Sequence, residues 1–216
     1  MKPTAKICGI NDPRAMTAAI EGGASHVGLV FYPKSPRFVT LDQAANLSSM
    51  AANKATRVAL FVDPNDAELH AVLGAVPIEL VQLHGSESPE RTEEIKKATG
   101  RAIMKVISVS DATDIARAKD YVDVADWLMF DAKPPKSLKN ALPGGNAVSF
   151  DWSLLSAKTW PLPWMLAGGL TAENVAEAIR LTGAKVLDTS SGLEDTPGKK
   201  NPIKIKAFLE AVARSA

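Results

Sequence analysis

One pattern recurs eight times along the 216 residues: a short apolar run, a break at Gly, Pro, Asn, Asp or Ser, then a longer amphipathic stretch. The apolar runs read as strands over Ala5–Ile10, His26–Phe31, Arg57–Val62, Glu79–Leu83, Ala102–Ile107, Asp126–Phe130, Trp164–Ala167 and Lys185–Asp188. Helices are predicted over Arg14–Glu21 and Leu41–Ala52, then one opened by Asp63-Pro64-Asn65 and running to about Gly74, one opened by Ser88-Pro89-Glu90 and running to Gly100, and one from Asp111 to about Tyr121. A short one follows over Asp151–Ala157, then Ala172–Arg180 and a last one from Pro202 to about Arg214. Asn11-Asp12-Pro13, Thr40, Asp63-Pro64-Asn65, Ser88-Pro89, Thr171 and Asn201-Pro202 are helix-start signals, and Gly22-Gly23 suits a helix end. The last helix is expected to turn Ile203, Phe208, Leu209 and Val212 inward. The segment Asp131–Ser149 lacks periodicity, is rich in Pro, Gly and Lys, and reads as a mobile loop.

Alternating strands and helices, at roughly 20–35 residues per unit, predict a parallel sheet with right-handed crossovers. Strands that are apolar throughout predict that both faces are covered. Eight such units fit a single closed (β/α)₈ TIM barrel of the α/β class spanning residues 1–216. A doubly wound open sheet is the alternative, but the chain has no spare strands and no G-x-G-x-x-G after its first strand.

In a barrel, the loops after the strands build the site, and phosphate commonly binds after the seventh and eighth. Here the seventh strand ends at Gly168-Gly169 and the eighth in Thr189-Ser190-Ser191-Gly192, two small-residue turns that can aim free amides at one phosphate. With 25 Lys+Arg against 24 Asp+Glu, the net charge of +1 makes no electrostatic case for nucleic acid or an anionic membrane. An anionic ligand would therefore be held by placed groups. Cys8 is the only cysteine, so no internal disulfide and no cysteine-built metal site exists, and His26, His70 and His84 lack metal-ligand spacing. The N-terminus lacks a signal-peptide core, and no apolar stretch approaches the ~18 residues that span a membrane, so a cytoplasmic protein is expected.

Strand alternation puts Lys6 and Cys8 on one face and Ile7 on the other. A lone strand cysteine is often only a small buried hydrophobe. At the top of a barrel strand it faces substrate, and a nearby cation such as Lys6 or Arg37 would favour its thiolate. Asp131 ends the sixth strand; it is either a turn former or a carboxyl group facing Cys8 across the barrel mouth, giving an acid and base pair. Arg37 closes a proline-stiffened loop, Tyr32–Arg37, and is either a solvated charge or a bidentate partner for a substrate carboxylate. Gln82 and His84 share a face and either line the pocket or pack. Asp188 either bonds substrate or holds the Ser190-Ser191 turn.

The motifs Lys6–Ile10, Gly28–Arg37, Val81–Gly85, Asp131–Pro134, Phe150–Leu154, Ala167–Val175 and Asp188–Gly198 follow one another almost end to end. In that order they resemble the phosphoribosylanthranilate isomerase family of tryptophan biosynthesis. The resemblance implies an Amadori rearrangement of a phosphoribosyl substrate without metal or organic cofactor, in a monomer or homodimer. It implies Asp131 as general acid, Cys8 as general base, and Arg37 as the residue that receives the anthranilate carboxylate. Gly168, Gly169, Ser190, Ser191 and Gly192 match the phosphate site, with Lys6, Gln82, His84 and Asp188 around the pocket. Ala147 and Val148 stand where the family often has glycine and lysine. Two rivals remain at this level: the related two-aspartate isomerase of histidine biosynthesis, and a non-catalytic barrel that binds a phosphorylated ligand.

Overall fold

The computed structural model describes residues 2–134, 142–146, 148–156 and 158–215. Eight parallel strands, β1 (Thr4–Cys8), β2 (His26–Val30), β3 (Thr56–Phe61), β4 (Leu80–Leu83), β5 (Ala102–Val109), β6 (Trp127–Ala132), β7 (Trp164–Leu166) and β8 (Val186–Thr189), close a barrel in sequence order. The open-sheet alternative is thereby excluded: β1 pairs with both β2 and β8. Helices α1 (Pro13–Glu21), α2 (Leu41–Ala51), α3 (Asp66–Ala75), α4 (Pro89–Thr99), α5 (Ala112–Ala116), α6 (Val175–Thr182) and α7 (Pro202–Arg214) connect and cover the strands.

The caps explain why most helices begin where they do. Asp12 accepts from the amides of Arg14 and Ala15 ahead of Pro13, which has no amide to satisfy. Thr40 and Gln43, like Asn65 and Glu68, form reciprocal capping boxes. Gly100 and Gly183 end α4 and α6 in the left-handed conformation. Three expectations need correction. Thr171 is not an N-cap, and α6 opens at Val175, a turn later than predicted. The side chain of Asn174 folds back, accepting from the Thr171 amide (2.8 Å) and donating to the Gly169 carbonyl (2.9 Å), so this segment is spent on a turn. Ile203 faces solvent at 78% exposure. The buried stripe of α7 is Ile205, Phe208, Leu209 and Val212, and Ile203 is two residues out of phase with its start. The short helix expected over Asp151–Ala157 is a 3-10 turn, Trp152–Leu155, and Ala157 lies outside the described residues. So does part of the predicted loop Asp131–Ser149, at 135–141 and 147.

Alternation along each strand separates two apolar layers. Ile7, Val27, Ala59, Val81, Ile103, Phe130, Leu166 and Leu187 face the helices. Val58, Leu80, Met104, Met129, Met165 and Val186 fill the barrel interior. Two residues further along, the same interior rows turn polar: Leu80 gives way to Gln82, Met129 to Asp131, and Val186 to Asp188. Those rows supply the site.

A pair of strands outside the barrel had no counterpart in the sequence reading. β9 (Glu194–Thr196) and β10 (Lys199–Lys200) form an antiparallel hairpin after β8. Its Gly198 (φ +82) lies so close to Pro36 that a Cβ would stand 2.4 Å from the proline carbonyl oxygen. Asn11 donates to the Gly198 carbonyl at 2.9 Å. The hairpin is thus docked on the loop that carries Arg37.

Candidate active site

A cavity of about 760 Å³, counting its open mouth, lies at the C-terminal ends of the strands, a size suited to a small ligand. Cys8, Arg37, Gln82, His84, Asp131, Gly168, Gly169, Asp188, Ser190 and Ser191 all line it. Of the predicted site residues, Lys6 lies beneath the cavity, fully buried, and Gly192 lies behind its turn.

Cys8 ends β1 opposite Gly28 of β2. The glycine is a packing requirement: a Cβ there would meet the Cys8 sulfur at 2.9 Å and Lys6 Nζ at 3.2 Å. One layer down, Lys6 and Asp188 are register partners of β1 and β8, and Lys6 Nζ donates to Asp188 Oδ1 at 2.8 Å. Asp188 therefore pairs with Lys6 inside the barrel while also facing the cavity. Burial disfavours the Lys6 ammonium, but the charges of Asp188 and Cys8 outweigh it and hold Lys6 in its charged form. Burial pushes the Cys8 thiol above its ordinary value; the Lys6 cation opposes this without cancelling it.

Asp131 ends β6, buried, its Oδ1 accepting from the Ala132 amide at 2.8 Å. Its Oδ2 lies 3.2 Å from His84 Nε2. Gln82 Nε2 sits 3.1 Å from His84 Nδ1; with the amide donating there, a neutral imidazole carries its proton on Nε2, the nitrogen facing Asp131. Gln82 and His84 thus line the site and do not merely pack. The turn carrying His84 is held by Glu87, which the sequence reading missed. Its carboxylate accepts from the Gly85 amide (3.0 Å), the Asp63 amide (2.8 Å) and Lys105 Nζ (2.5 Å).

Arg37 is no solvated loop charge, being 5% exposed. Its bidentate partner is Glu194 of the hairpin, with Nε to Oε1 at 2.7 Å and Nη2 to Oε2 at 2.8 Å. A two-pronged grip on a substrate carboxylate by that same edge is excluded while this pair stands. Nη2 also donates to the Gly145 carbonyl at 3.2 Å. Lys200 Nζ reaches Glu194 Oε1 at 2.6 Å, and the carbonyl and hydroxyl oxygens of Ser190 at 3.2 Å. Burial alone would raise the Glu194 carboxyl; the Arg37 and Lys200 contacts outweigh it and keep it below its ordinary value. Glu194 and Lys200 gave no periodic or motif signal beyond their place in Asp188–Gly198 and its flank.

Gly168 (φ +94) and Gly169 (φ +65) occupy the left-handed region that side chains avoid. No acceptor among the described residues takes the amides of Gly168, Gly169 or Ser190. Thr189 Oγ1 donates to the Leu170 carbonyl at 2.7 Å, tying the two turns together. Gly192 permits that approach, since a Cβ would stand 2.3 Å from the Leu170 oxygen. Such paired, amide-rich turns suit a phosphate. Above them, Gly144 lies against His84 and Asp131, where a Cβ would fall 2.7 Å from Nε2 and 2.8 Å from Oδ2. Among the described residues no cluster of His, Cys, Asp and Glu could hold a metal ion, and no helix is long and apolar enough to cross a membrane.

Fold and site together define a (β/α)₈-barrel enzyme whose chemistry sits at the strand C-termini. The family model described as N-(5'phosphoribosyl)anthranilate (PRA) isomerase matches residues 5–211. The chain belongs to that family, isomerases of tryptophan biosynthesis. It is 59% identical over 206 residues to the N-(5'-phosphoribosyl)anthranilate isomerase of Paramagnetospirillum magneticum, covering 95% of each chain. The crystal structure of phosphoribosyl anthranilate isomerase from Thermotoga maritima is 33% identical and superposes with a TM-score of 0.87, over 99% of this chain and 100% of that one. A phosphoribosyl anthranilate isomerase in complex with reduced 1-(o-carboxyphenylamino)-1-deoxyribulose 5-phosphate is 31% identical, with a TM-score of 0.81 over 99% of this chain and 100% of that one.

Proposed function

We propose that the chain, acting as one catalytic domain, converts N-(5-phosphoribosyl)anthranilate to 1-(2-carboxyphenylamino)-1-deoxyribulose 5-phosphate, with Asp131 as general acid and Cys8 as general base. The observation that carries this reading is that a thiol from β1 and a carboxyl from β6 line one cavity, beside two turns with free amides. The relative that holds the reduced product, on the same fold, supports the choice of substrate.

In this reading the amides of Gly168, Gly169 and Ser190 bind the phosphate, and Arg37 Nη1 receives the anthranilate carboxylate. Asp131, as general acid, delivers a proton to the ribose ring oxygen; the C1–O bond breaks and an iminium forms between C1 and the anthranilate nitrogen. The iminium acidifies the C2 proton, which the Cys8 thiolate removes to give an enaminol. Protonation at C1 and loss of the C2 hydroxyl proton leave the ketone, with no net change in oxidation state. A thiol held above its ordinary range is the stronger base once ionised, and Lys6 is the cation that favours that ionisation.

Steady-state turnover of phosphoribosylanthranilate by wild type, Cys8→Ser and Asp131→Asn tests the assignment. Each substitution should cost roughly 10²-fold or more in kcat. Equal rates in all three proteins would instead make the barrel a binding module.

A further inference from the structure

The Arg37–Glu194–Lys200 cluster is built before any substrate arrives. Arg37, Glu194 and Lys200 are each at most 9% exposed, and they come from the loop after β2 and from the two strands of the hairpin. A fork-to-fork pair with contacts of 2.7 and 2.8 Å fixes the plane of the guanidinium as well as its distance. Lys200, 2.6 Å from the same carboxylate, supplies a second positive charge that Glu194 must balance. Of the guanidinium nitrogens, Nε and Nη2 are committed to Glu194, so among the described residues Nη1 is the arm left to point at a ligand. A free arginine side chain loses rotamer entropy when it binds, a cost that this pair removes in advance.

We propose that Glu194 is a positioning residue for substrate recognition: it holds the Arg37 guanidinium so that its Nη1 edge meets the substrate carboxylate. The inference rests on the reading of Arg37 given above. Without the carboxylate, two buried cations would face each other and Arg37 would turn away from its partner's position.

The test combines turnover of phosphoribosylanthranilate with calorimetric titration of the reduced product analogue, in wild type, E194Q, R37A and the double variant. E194Q should raise KM and weaken analogue binding by about tenfold, with kcat within about twofold, because Cys8 and Asp131 are untouched. In the R37A background E194Q should add little, since both changes remove the same interaction. Additive losses in the double variant, or a fall in kcat at unchanged KM, would overturn the proposal. R37A alone separates the two readings. A rise in KM for R37A with none for E194Q sinks only the positioning role, whereas no rise for R37A sinks the assignment of Arg37 and this inference with it. Should E194Q fail to fold, E194D, which keeps the charge but retracts it by one methylene, should show the same split with a smaller rise. An E194D protein with wild-type binding would count against the proposal.

Discussion

Lys6 and Asp188, 182 residues apart in the chain, are register partners across the seam where the barrel closes, joined by a 2.8 Å ion pair beneath Cys8. This pair sets the electrostatic floor of the site. Replacing Lys6 by Met should raise the pH midpoint of Cys8 alkylation, because Lys6 is the largest charge pulling the thiol down. It should also destabilise the fold by roughly 3–5 kcal/mol by leaving Asp188 buried without a partner. Adding Asp188→Asn should recover part of that loss. An unchanged alkylation midpoint in Lys6→Met would remove Lys6 from any role in thiolate formation.

Gly28→Ala puts a methyl group 2.9 Å from the Cys8 sulfur. Overpacking of this kind costs about 1–3 kcal/mol, and here the group displaced is the proposed base. Thermal denaturation should show the loss of stability, and kcat should fall more than KM rises. Wild-type kcat with wild-type stability would mean that the thiol tolerates the shift.

Gly144→Ala addresses the loop above Asp131, the proposed acid. The new Cβ would lie 2.6 Å from His84 Cε1 and 2.8 Å from Asp131 Oδ2, so the loop must lift. Turnover should fall by tenfold or more, since small misplacements at a reacting group are costly, while the melting temperature stays near that of wild type. The opposite pattern, normal turnover with a lowered melting temperature, would assign the glycine to folding alone.

His26 gives the pH dependence of stability. Burial, aided by the charge of Lys6, lowers its pKa from 6.5 to about 4. The folded protein therefore binds the proton less readily than the unfolded chain, and stability falls as pH drops from about 6.5 to about 4. The full effect is on the order of 3 kcal/mol. Urea denaturation at pH 7.5 and pH 4.5 should show this loss in wild type and a smaller one in His26→Gln. Equal losses in the two proteins would exclude His26 as the source.

The barrel was legible because parallel strands covered on both faces leave apolar runs that need no partner to be recognised. Cys8, Asp131 and the Gly168-Gly169 turn were legible for a related reason: each sits where a strand ends, and strand ends are local features. What depends on pairing across the fold was not. Asp188 was open between two roles because its partner, Lys6, is set by the register of the first strand on the last. Arg37 read as a free fork because Glu194 lies in β9, a strand of three residues, too short for alternation to register. Gly28 carried no signal beyond opening the Gly28–Arg37 motif, and only the neighbouring sulfur explains it. Thr171 and Ile203 failed locally: a capping residue was assigned to the wrong end of a turn, and a stripe was started two residues early.

The hairpin that bears Glu194 and Lys200 belongs to none of the eight repeating units. Anyone grafting this pocket onto another scaffold by copying the strand ends and the loop after β2 would transplant Arg37 stripped of its counter-ion. The portable unit is eight strand tips, the loop after β2 and one appended clasp, and if Glu194 positions Arg37 as proposed, variation in the clasp alone is a route to altered ligand preference that leaves Cys8 and Asp131 as they are.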